Sequence, residues 1–194
     1  TSVQPLMLEN LPFPERIERG AVLCRVRCAT ICGSDIHTVR GRRIEDAPLI
    51  LGHEVCGEIC ATGGEVFDMY GSPLNVGDRI TWSIFSCCGT CFFCSRGMEQ
   101  KCVSLMKYGH SRIDNHPGLS GGFAEYIHLR PGTFLIKIGN TVPDEIAATI
   151  NCALATAVNV VRQGVPEGCE SVLVSGAGLL GLNCVAYLKS RGNV

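Results

Sequence analysis

Four cysteines between positions 88 and 102 constrain this chain more than any other feature of its sequence. Their spacing is C-x2-C-x2-C-x7-C, and they are Cys88, Cys91, Cys94 and Cys102. Four thiolates at this spacing can meet at one tetrahedral point, about 2.3 Å from a zinc ion. Such an ion keeps thiolates deprotonated and stabilises a loop that has little apolar surface of its own. The pattern predicts a structural zinc lobe over residues 87–103, with an iron–sulfur cluster or disulfides as the alternatives.

The overall cysteine content also favours metal binding over disulfide bonding. The sequence has 194 residues and 13 cysteines, an odd number in a chain long enough to build a hydrophobic core. We therefore expect a reducing, cytoplasmic compartment. The formal net charge is -1, so no excess of charge draws the protein to nucleic acid or to an anionic membrane.

Two mostly apolar stretches, 146–161 and 172–188, approach the length of a membrane span. Threonines and asparagines interrupt the first stretch, and glycines interrupt the second. Both fall short of about 20 consecutive apolar residues, and the chain does not begin with a charged segment followed by an apolar one. We expect buried elements here, no signal peptide and no membrane partner.

Alternating residues predict short β-strands in the first part of the chain. Residues 21–29 read AVLCRVRCA, which places valines and cysteines on one face and Leu23, Arg25 and Arg27 on the other. That alternation predicts a half-buried antiparallel strand. Further short apolar segments, at 55–61 and 80–82, are separated by turn signals, as in all-β folds.

A second candidate site begins at residues 32–37, which read CGSDIH. Cys32 can bind a soft metal there, and Asp35 can orient a ligand from behind it. Ser34 and His37 can pass a proton. A turn that is simply rich in small polar residues is the alternative.

Further candidate residues lie at positions 53, 54 and 152. His53 lies between apolar runs, and the neighbouring Glu54 supplies an acid that can lie near a metal. A satisfied core histidine is the alternative for His53. Cys152 lies in a mostly uncharged run, where a buried cysteine is most often a small apolar residue.

A glycine pattern near residue 176 is typical of dinucleotide binding. Residues 171–175 read SVLVS and predict a buried parallel strand, and an apolar segment to about Arg191 predicts a helix. Between them lie Gly176, Gly178 and Gly181. Backbone amides at such a turn, together with the helix N-terminus, can hold a pyrophosphate. The acidic residue that binds the ribose is expected about 20 positions further on, so this sequence does not distinguish NAD from NADP.

Together these segments resemble the zinc-dependent alcohol dehydrogenases of the medium-chain dehydrogenase/reductase superfamily. The resemblance rests on Cys32 to His37, Gly52-His53-Glu54, the four cysteines of the lobe, Gly122 to Tyr126, Cys152 and the glycine turn. A narrower resemblance, to a subgroup associated with phosphonate catabolism, rests on Trp82-Ser83, Lys107-Tyr108-Gly109-His110, Leu119 to Gly122 and Asn151-Cys152.

The resemblance implies a mainly β fold. A GroES-like, partly open β-barrel catalytic domain over residues 1–152 would be followed by the first βα unit of a Rossmann dinucleotide-binding domain over residues 153–194. Members of the superfamily have a complete nucleotide domain, so we expect an N-terminal fragment that has little activity by itself. The full-length protein is expected to be a homodimer or homotetramer.

The resemblance also implies a role for each candidate residue. Cys32, His53 and Cys152 would be the protein ligands of a catalytic zinc, with Glu54 behind the ion and Asp35 holding His53 in orientation. The remaining implied roles are a proton relay at Ser34 and His37, nicotinamide contact at Thr156, dinucleotide binding at Gly176, Gly178 and Gly181, and a structural zinc at Cys88, Cys91, Cys94 and Cys102.

The function implied is that of an enzyme with two zinc ions per chain. It would interconvert an alcohol and an aldehyde or ketone by hydride transfer to or from NAD or NADP, acting on a small-molecule alcohol or carbonyl substrate. The alternatives are a polyol or amino-alcohol dehydrogenase of the same superfamily, and a non-catalytic zinc-binding module or inactive fragment. Cys152, where the sorbitol-type pattern has a glutamate, weighs modestly against a polyol enzyme.

Overall fold

The computed structural model describes residues 6–115, 118–166, 168–169 and 171–192. It divides the chain into two compact units, Thr1–Ala148 and Thr149–Val194. The division lies a few residues before the domain boundary predicted at 152/153, and that boundary stays a prediction.

The first unit consists mainly of antiparallel strands. They are β1 Val22–Thr30, β2 Glu54–Thr62, β3 Val66–Phe67, β4 Pro73–Leu74, β5 Arg79–Ser86, β6 Met106–Lys107, β7 Tyr126–Leu129 and β8 Thr133–Lys137. Six of them form one sheet in the order β6-β5-β2-β1-β7, with β8 also paired to β5, while β3 and β4 form a separate pair. Strands β7 and β8 are consecutive in the chain but pair with different neighbours, β1 and β5. The sheet is therefore curled without a ladder between β7 and β8 in the described residues, which confirms the partly open barrel.

Strand β1 shows why this sequence forms a half-buried sheet. Val22 and Cys24 are fully buried, while Arg25 and Arg27 on the opposite face are exposed, as the alternation predicts. The buried face joins a core with Val55, Ile59, Val66, Leu74, Ile80, Trp82, Met106, Tyr108, Ile127, Leu129 and Leu135. Each large apolar side chain buried in this way stabilises the fold by about 1.5–3 kcal/mol.

Helices and helical turns connect the strands and form most of the second unit. They are α1 Gly33–Val39, α2 Asp144–Thr149, α3 Ala155–Gly164 and α4 Leu179–Ser190, with 3-10 turns at Cys94–Arg96, Glu99–Lys101 and Ile113–Asn115 and a π-helical turn at Ile150–Leu154. At the start of α2, the Asp144 carboxylate accepts hydrogen bonds from Arg27 on β1 (2.9 Å) and Arg79 on β5 (2.5 Å). These bonds tie the beginning of α2 to the sheet.

The second unit has a small core of its own between α3 and α4. Ala157 and Val161 of α3 pack against Cys184 and Leu188 of α4. The predicted helix is therefore confirmed, but the predicted strand at 171–175 is wrong for the described residues. That segment has no strand partner there, and Leu173 is 94% exposed. A strand requires a neighbouring strand for its backbone hydrogen bonds and for burial of its faces.

A search of the described residues finds no helix that combines the length and the apolar character needed to cross a membrane. Neither of the two apolar stretches noted in the sequence forms one.

Candidate metal centres and dinucleotide turn

The four cysteines of the lobe converge, as their spacing predicts. Their sulfur atoms all lie within 4.8 Å of one another. Two of the pairs, Cys88 with Cys102 and Cys91 with Cys94, have Sγ–Sγ distances of 3.5 Å. The backbone amides of Cys88 and Ser104 also point at Cys102 Sγ, at 3.3 and 3.4 Å. Amides directed at sulfur favour a thiolate, so this donor set fits a thiophilic metal ion.

The protonation of these thiols supports the same reading. Backbone amides of Thr90 and Cys91, together with the Cys102 thiol, lower the pKa of Cys88 to about 6. Burial and the neighbouring thiols raise the pKa of Cys94 to about 12. The cluster can therefore hold the first negative charge easily but not the last, unless a cation compensates it. Cys87 does not belong to this group, since its sulfur faces the carbonyl oxygen of Gly132 at 3.5 Å.

The second candidate site is built where the chain enters α1 and β2. The Cys32 amide donates to Asp35 Oδ2 at 2.8 Å, which fixes the first turn of α1. The other carboxylate oxygen of Asp35 lies 3.3 Å from His53 Nδ1 and accepts from the Gly52 amide at 3.4 Å. Asp35 and His53 are only 2% and 3% exposed. One buried carboxylate therefore links the two segments that carry Cys32 and His53, as its predicted role requires.

The opposite edge of the His53 ring faces the other polar residues of the site. Ser34 Oγ lies 3.4 Å from His53 Nε2. Glu54, 1% exposed, accepts a hydrogen bond from Thr30 Oγ1 at 2.7 Å. The donor atoms of Cys32, His53 and Glu54 all lie within 4.8 Å of one another. A thiol, an imidazole and a carboxylate at this spacing fit a zinc ion.

Electrostatics at this site favour the charged forms of two residues. Burial raises the pKa of the Asp35 carboxyl, but hydrogen bonds from His53 and the Cys32 amide outweigh that effect and hold the pKa below its usual value. Burial likewise opposes ionisation of Cys32, yet hydrogen bonds from Ser34 and His53 bring its pKa below that of a free thiol. A thiolate is the form that binds a metal.

The remaining predicted residues occupy different places. His37 is exposed on α1, three residues after Ser34 and so on the same side of the helix. Cys152 lies in the second unit, within the π-helical turn Ile150–Leu154, and Thr156 is exposed on α3. Single π-helical turns are rare and frequently occur at functional sites.

Two residues beside this site, the buried His110 and the half-buried Glu45, were not identified from the sequence. His110 packs its ring on that of His53, with centroids 4.8 Å apart, and its Nδ1 lies 3.2 Å from Glu45 Oε1. Burial, together with the charges of Arg43 and His53, lowers the pKa of His110 to about 4. No spacing rule connects position 110 with position 53, so the sequence indicates the motif Lys107 to His110 only through a family resemblance.

Each of the three glycines in the turn of the second unit has a distinct structural property. Gly176 has a φ of +111°, which other residues rarely adopt, and Gly178 precedes α4 with open space around it. A Cβ on Gly181 would lie 1.9 Å from the Gly176 carbonyl oxygen. A tight turn, an accessible backbone and close packing of the helix are the three properties that a pyrophosphate-binding turn needs.

The family model for the alcohol dehydrogenase GroES-like domain matches residues 18–143. The chain belongs to this family. The match confirms the resemblance inferred from the motifs and the GroES-like character of the barrel. It places α1, β2 and the cysteine lobe inside one alcohol dehydrogenase GroES-like domain.

Several proteins similar to this chain are named dehydrogenases. L-threonine 3-dehydrogenase from Proteus mirabilis is 32% identical over 194 residues, covering 96% of this chain and 51% of the relative. A solved alcohol dehydrogenase from Thermotoga maritima has 33% identity and a TM-score of 0.87, covering 96% of this chain and 52% of its own. A protein assigned as a zinc-binding dehydrogenase, from Sinorhizobium meliloti 1021 and solved with NADP, has 28% identity and a TM-score of 0.79, with coverage of 97% and 51%. The chain thus spans about half the length of the relatives it matches.

Proposed function

We propose that the whole protein is a zinc-dependent oxidoreductase that interconverts an alcohol and an aldehyde or ketone by hydride transfer to or from NAD or NADP. The observation that carries this proposal is the group of Cys32, His53 and Glu54, of which His53 and Glu54 are buried, with their donor atoms within 4.8 Å of one another. A hydroxyl and an imidazole, from Ser34 and His37, accompany this group. A purely structural metal site has no use for such groups.

The proposed ligands of the catalytic zinc are Cys32, His53 and Cys152, which would leave one position open for substrate. Bound zinc would supply Lewis acidity, which lowers the pKa of an alcohol oxygen. Asp35 keeps its carboxylate beside His53 Nδ1, so that Nε2 is the nitrogen left for the metal. Glu54 adds a negative charge behind the ligands.

The proposed proton path runs along α1. Ser34 Oγ lies 3.4 Å from His53 Nε2, on the side where the donor atoms converge, and so within reach of a substrate hydroxyl there. His37 lies one helical turn further on and is exposed to solvent. Ser34 would accept the proton of the alcohol and pass it through His37 to water. In the reverse reaction the same groups would deliver a proton to the carbonyl oxygen.

The proposed dinucleotide site is the glycine turn and the start of α4. Gly178 ends the turn with no side-chain cap on the helix, which leaves the first amides of α4 for a phosphate. Gly181 supports the turn through its close packing on Gly176. Thr156 would lie near the nicotinamide. The NADP bound to the Sinorhizobium meliloti relative supports this assignment of cofactor class.

The second proposed zinc, at the cysteine lobe, would be structural. Its four ligands would all be cysteines, and residues 87–103 contain no histidine, so the lobe lacks a hydroxyl–imidazole pair like that of Ser34 and His37. Closed sites of four thiolates typically stabilise a fold and leave no position for substrate.

Metal counting in single variants tests both sites. We expect two zinc ions per chain in the unaltered protein and one in Cys32→Ala, with the remaining ion lost only when Cys88 is also replaced. Cys28→Ala, which removes a β1 thiol that belongs to neither group, is the matched control and should keep both ions. Retention of both ions in Cys32→Ala would refute the proposed site. A single ion in the unaltered protein, lost in Cys88→Ala, would indicate a non-catalytic zinc module.

A second candidate is an amino-alcohol or polyol dehydrogenase of the same family. The L-threonine 3-dehydrogenase of Proteus mirabilis, 32% identical, favours the amino-alcohol form. Turnover of L-threonine, a polyol and a simple alcohol by the full-length protein would distinguish these substrates. The narrower resemblance to the phosphonate-associated subgroup stays a prediction, and a phosphonate-bearing alcohol belongs in the same assay.

The remaining assignments follow from the composition and the family. We propose a cytoplasmic location because 13 cysteines with none in a disulfide suit a reducing compartment. We propose a homodimer or homotetramer for the full-length protein, which sedimentation would test. Neither nucleic acid nor membrane is proposed as a partner.

A further inference from the structure

His110 lies directly against the proposed zinc ligand His53, although neither the relay nor the ligand set uses it. The two rings have centroids 4.8 Å apart and an interplanar angle of 37°. His110 is only 8% exposed. It follows β6, in a loop whose backbone closes on itself through the His110 amide and the Lys107 carbonyl.

A charged pair lies beside the His110 ring. Glu45 Oε1 lies 3.2 Å from His110 Nδ1 and 2.6 Å from Arg43 Nε. The contact between Glu45 and the ring is electrostatic, because these two atoms do not meet hydrogen-bond geometry. Arg43 in turn restrains the carboxylate. The ion pair of Arg43 and Glu45 thus forms an ionic anchor at the edge of the His110 ring, in addition to packing.

The backbone next to His110 also packs closely against His53. Gly109 has a φ of +75°, and a Cβ on it would lie 2.8 Å from the Gly52 carbonyl oxygen and 3.1 Å from His53 Cβ. The Gly109 amide donates to the Ser120 carbonyl at 2.8 Å, which keeps the loop in place. The loop thus contacts His53 both at its base and across its ring face.

We propose that His110 is a positioning residue for the catalytic metal site. Glu45 and Arg43 hold its ring against the face of His53, while Asp35 lies at the edge of the same ring. The edge contact limits rotation of His53 in its own plane, and the face contact limits tilting out of that plane. Together they fix the direction in which Nε2 is presented to a metal ion. This inference rests on the proposed function, because it assumes that His53 binds the ion.

Simple filling of space is the rival explanation, and the ionic anchor argues against it. A phenylalanine would fill the volume without desolvating a carboxylate, which costs free energy wherever it is buried. A glutamate that is mostly buried and placed at the nitrogen of a ring is expected where the orientation of that ring matters.

Cobalt(II) replacing zinc provides a direct readout, because its absorption bands report ligand geometry. Cys32→Ala first identifies which bands belong to the catalytic site. We expect His110→Ala to bind Co²⁺ there about tenfold more weakly, in competition with a chelator, and to shift those bands. His110→Phe keeps the ring volume but loses the contact with Glu45, so it should recover only part of that affinity; full recovery would show that His110 only fills space.

Glu45→Gln tests the anchor. It should weaken Co²⁺ binding by itself, but it should add nothing to His110→Ala, because both changes remove the same contact. His128→Ala is the matched control. It removes another buried imidazole, 3% exposed and outside the metal-binding groups of the described residues, and should leave the cobalt bands unchanged. Thermal unfolding checks that each variant is folded; should His110→Ala fail to fold, His110→Phe and Glu45→Gln carry the test.

The possible failures are distinguishable. If Cys32→Ala keeps both metal ions, the proposed function is wrong. If Cys32→Ala loses one ion, but His110→Ala has the affinity and bands of the unaltered protein, the function stands and the positioning role is wrong. Equal losses in His110→Ala and His128→Ala, or additive losses in Glu45→Gln with His110→Ala, would likewise show that His110 only fills space.

Discussion

The cysteine lobe and the site around His53 each bring potential metal ligands within 4.8 Å of one another, but they are assembled in opposite ways. All four lobe sulfurs come from one loop between positions 88 and 102, supported by two short 3-10 turns and a small cysteine-lined cluster. The group at Cys32, His53 and Glu54 combines two distant segments that the barrel brings together. A metal in the lobe would therefore stabilise a loop that has little hydrophobic core, whereas a metal at His53 would bind to residues that the folded barrel already holds together.

The hydrogen bonds around the two groups make the same distinction. Behind His53, the carboxylate of Asp35 contacts the imidazole and two backbone amides. In the lobe, the thiols mostly contact one another and nearby amides. We therefore expect the site at His53 to be preorganised by the fold and the lobe to depend on a metal ion.

Replacing one lobe thiol should have the largest effect on stability. Cys94→Ser should lose the lobe metal and reduce the free energy of unfolding by about 3 kcal/mol or more, a fraction of the about 10–16 kcal/mol with which such sites bind zinc. Metal counting and limited proteolysis within residues 88–102 would measure it. Cys87→Ser is the matched control, because Cys87 adjoins the lobe cysteine Cys88 but its sulfur faces the carbonyl oxygen of Gly132. Equal stability of the two variants would mean that the lobe folds without its metal.

Removing the Asp35 charge should weaken metal binding without unfolding the barrel. Asp35→Asn keeps the side-chain shape but loses the charge beside His53 Nδ1, so the catalytic site should bind metal about 10–100-fold more weakly. The lobe should be unaffected. Chelator competition measures both sites in one sample, and the exposed Asp46→Asn is the control. A parallel loss from both sites would show that Asp35 supports the fold as a whole.

Two glycines with similar backbone angles provide a smaller and more local test. Gly109, with a φ of +75°, packs on Gly52 and His53, whereas Gly97 in the lobe, with a φ of +68°, has open space around it. Gly97→Ala should cost only the strain of the backbone, about 1 kcal/mol. Gly109→Ala should cost more in stability and also weaken metal binding at His53, which chemical denaturation and cobalt spectra would detect. Identical behaviour of the two variants would contradict the packing of this loop on His53.

The smallest effect should be the contribution of Asp144 to the free energy of unfolding, which depends on pH. It should be independent of both metal groups. Hydrogen bonds from Arg27 and Arg79 outweigh burial and hold the pKa of Asp144 below its usual value. A lowered pKa stabilises the folded state above the unfolded pKa of about 3.9, and that contribution is lost as the pH falls through the folded pKa. Asp144→Asn should thus be less stable at pH 7, by about 1 kcal/mol, with a difference that shrinks below about pH 4. Denaturation at several pH values would measure it; a constant difference would point to lost packing.

The sequence predicted the cysteine lobe more completely than the site around His53, because the lobe residues are close together in the sequence and the residues at His53 are not. The lobe is a local structure, so the spacing of Cys88, Cys91, Cys94 and Cys102 was sufficient to predict its convergence. The link between Cys32 and His53 is set by the pairing of β1 with β2, and only the family resemblance indicated it in advance. His110 was missed because its contact with His53 joins segments with no shared periodicity.

The strands and the predicted βα unit show a similar limit. Alternation predicted β1 well, because one face of that strand is buried by the barrel itself. The apolar run at 171–175 carries a strong strand pattern, but it has no partner strand in the described residues. Local sequence reports the tendency of a segment to be extended, while pairing depends on a neighbour elsewhere in the chain.

The all-sulfur lobe exposes the protein to metal exchange. Thiolates prefer soft ions, and copper binds such donors more tightly than zinc does. Copper(I) or cadmium that escapes cellular buffering would therefore compete for the lobe first, because all four of its donors are sulfur, while the mixed sulfur and nitrogen donors proposed at His53 would be poorer targets. Exposure to thiophilic ions should then damage the architecture of the protein before it alters its chemistry.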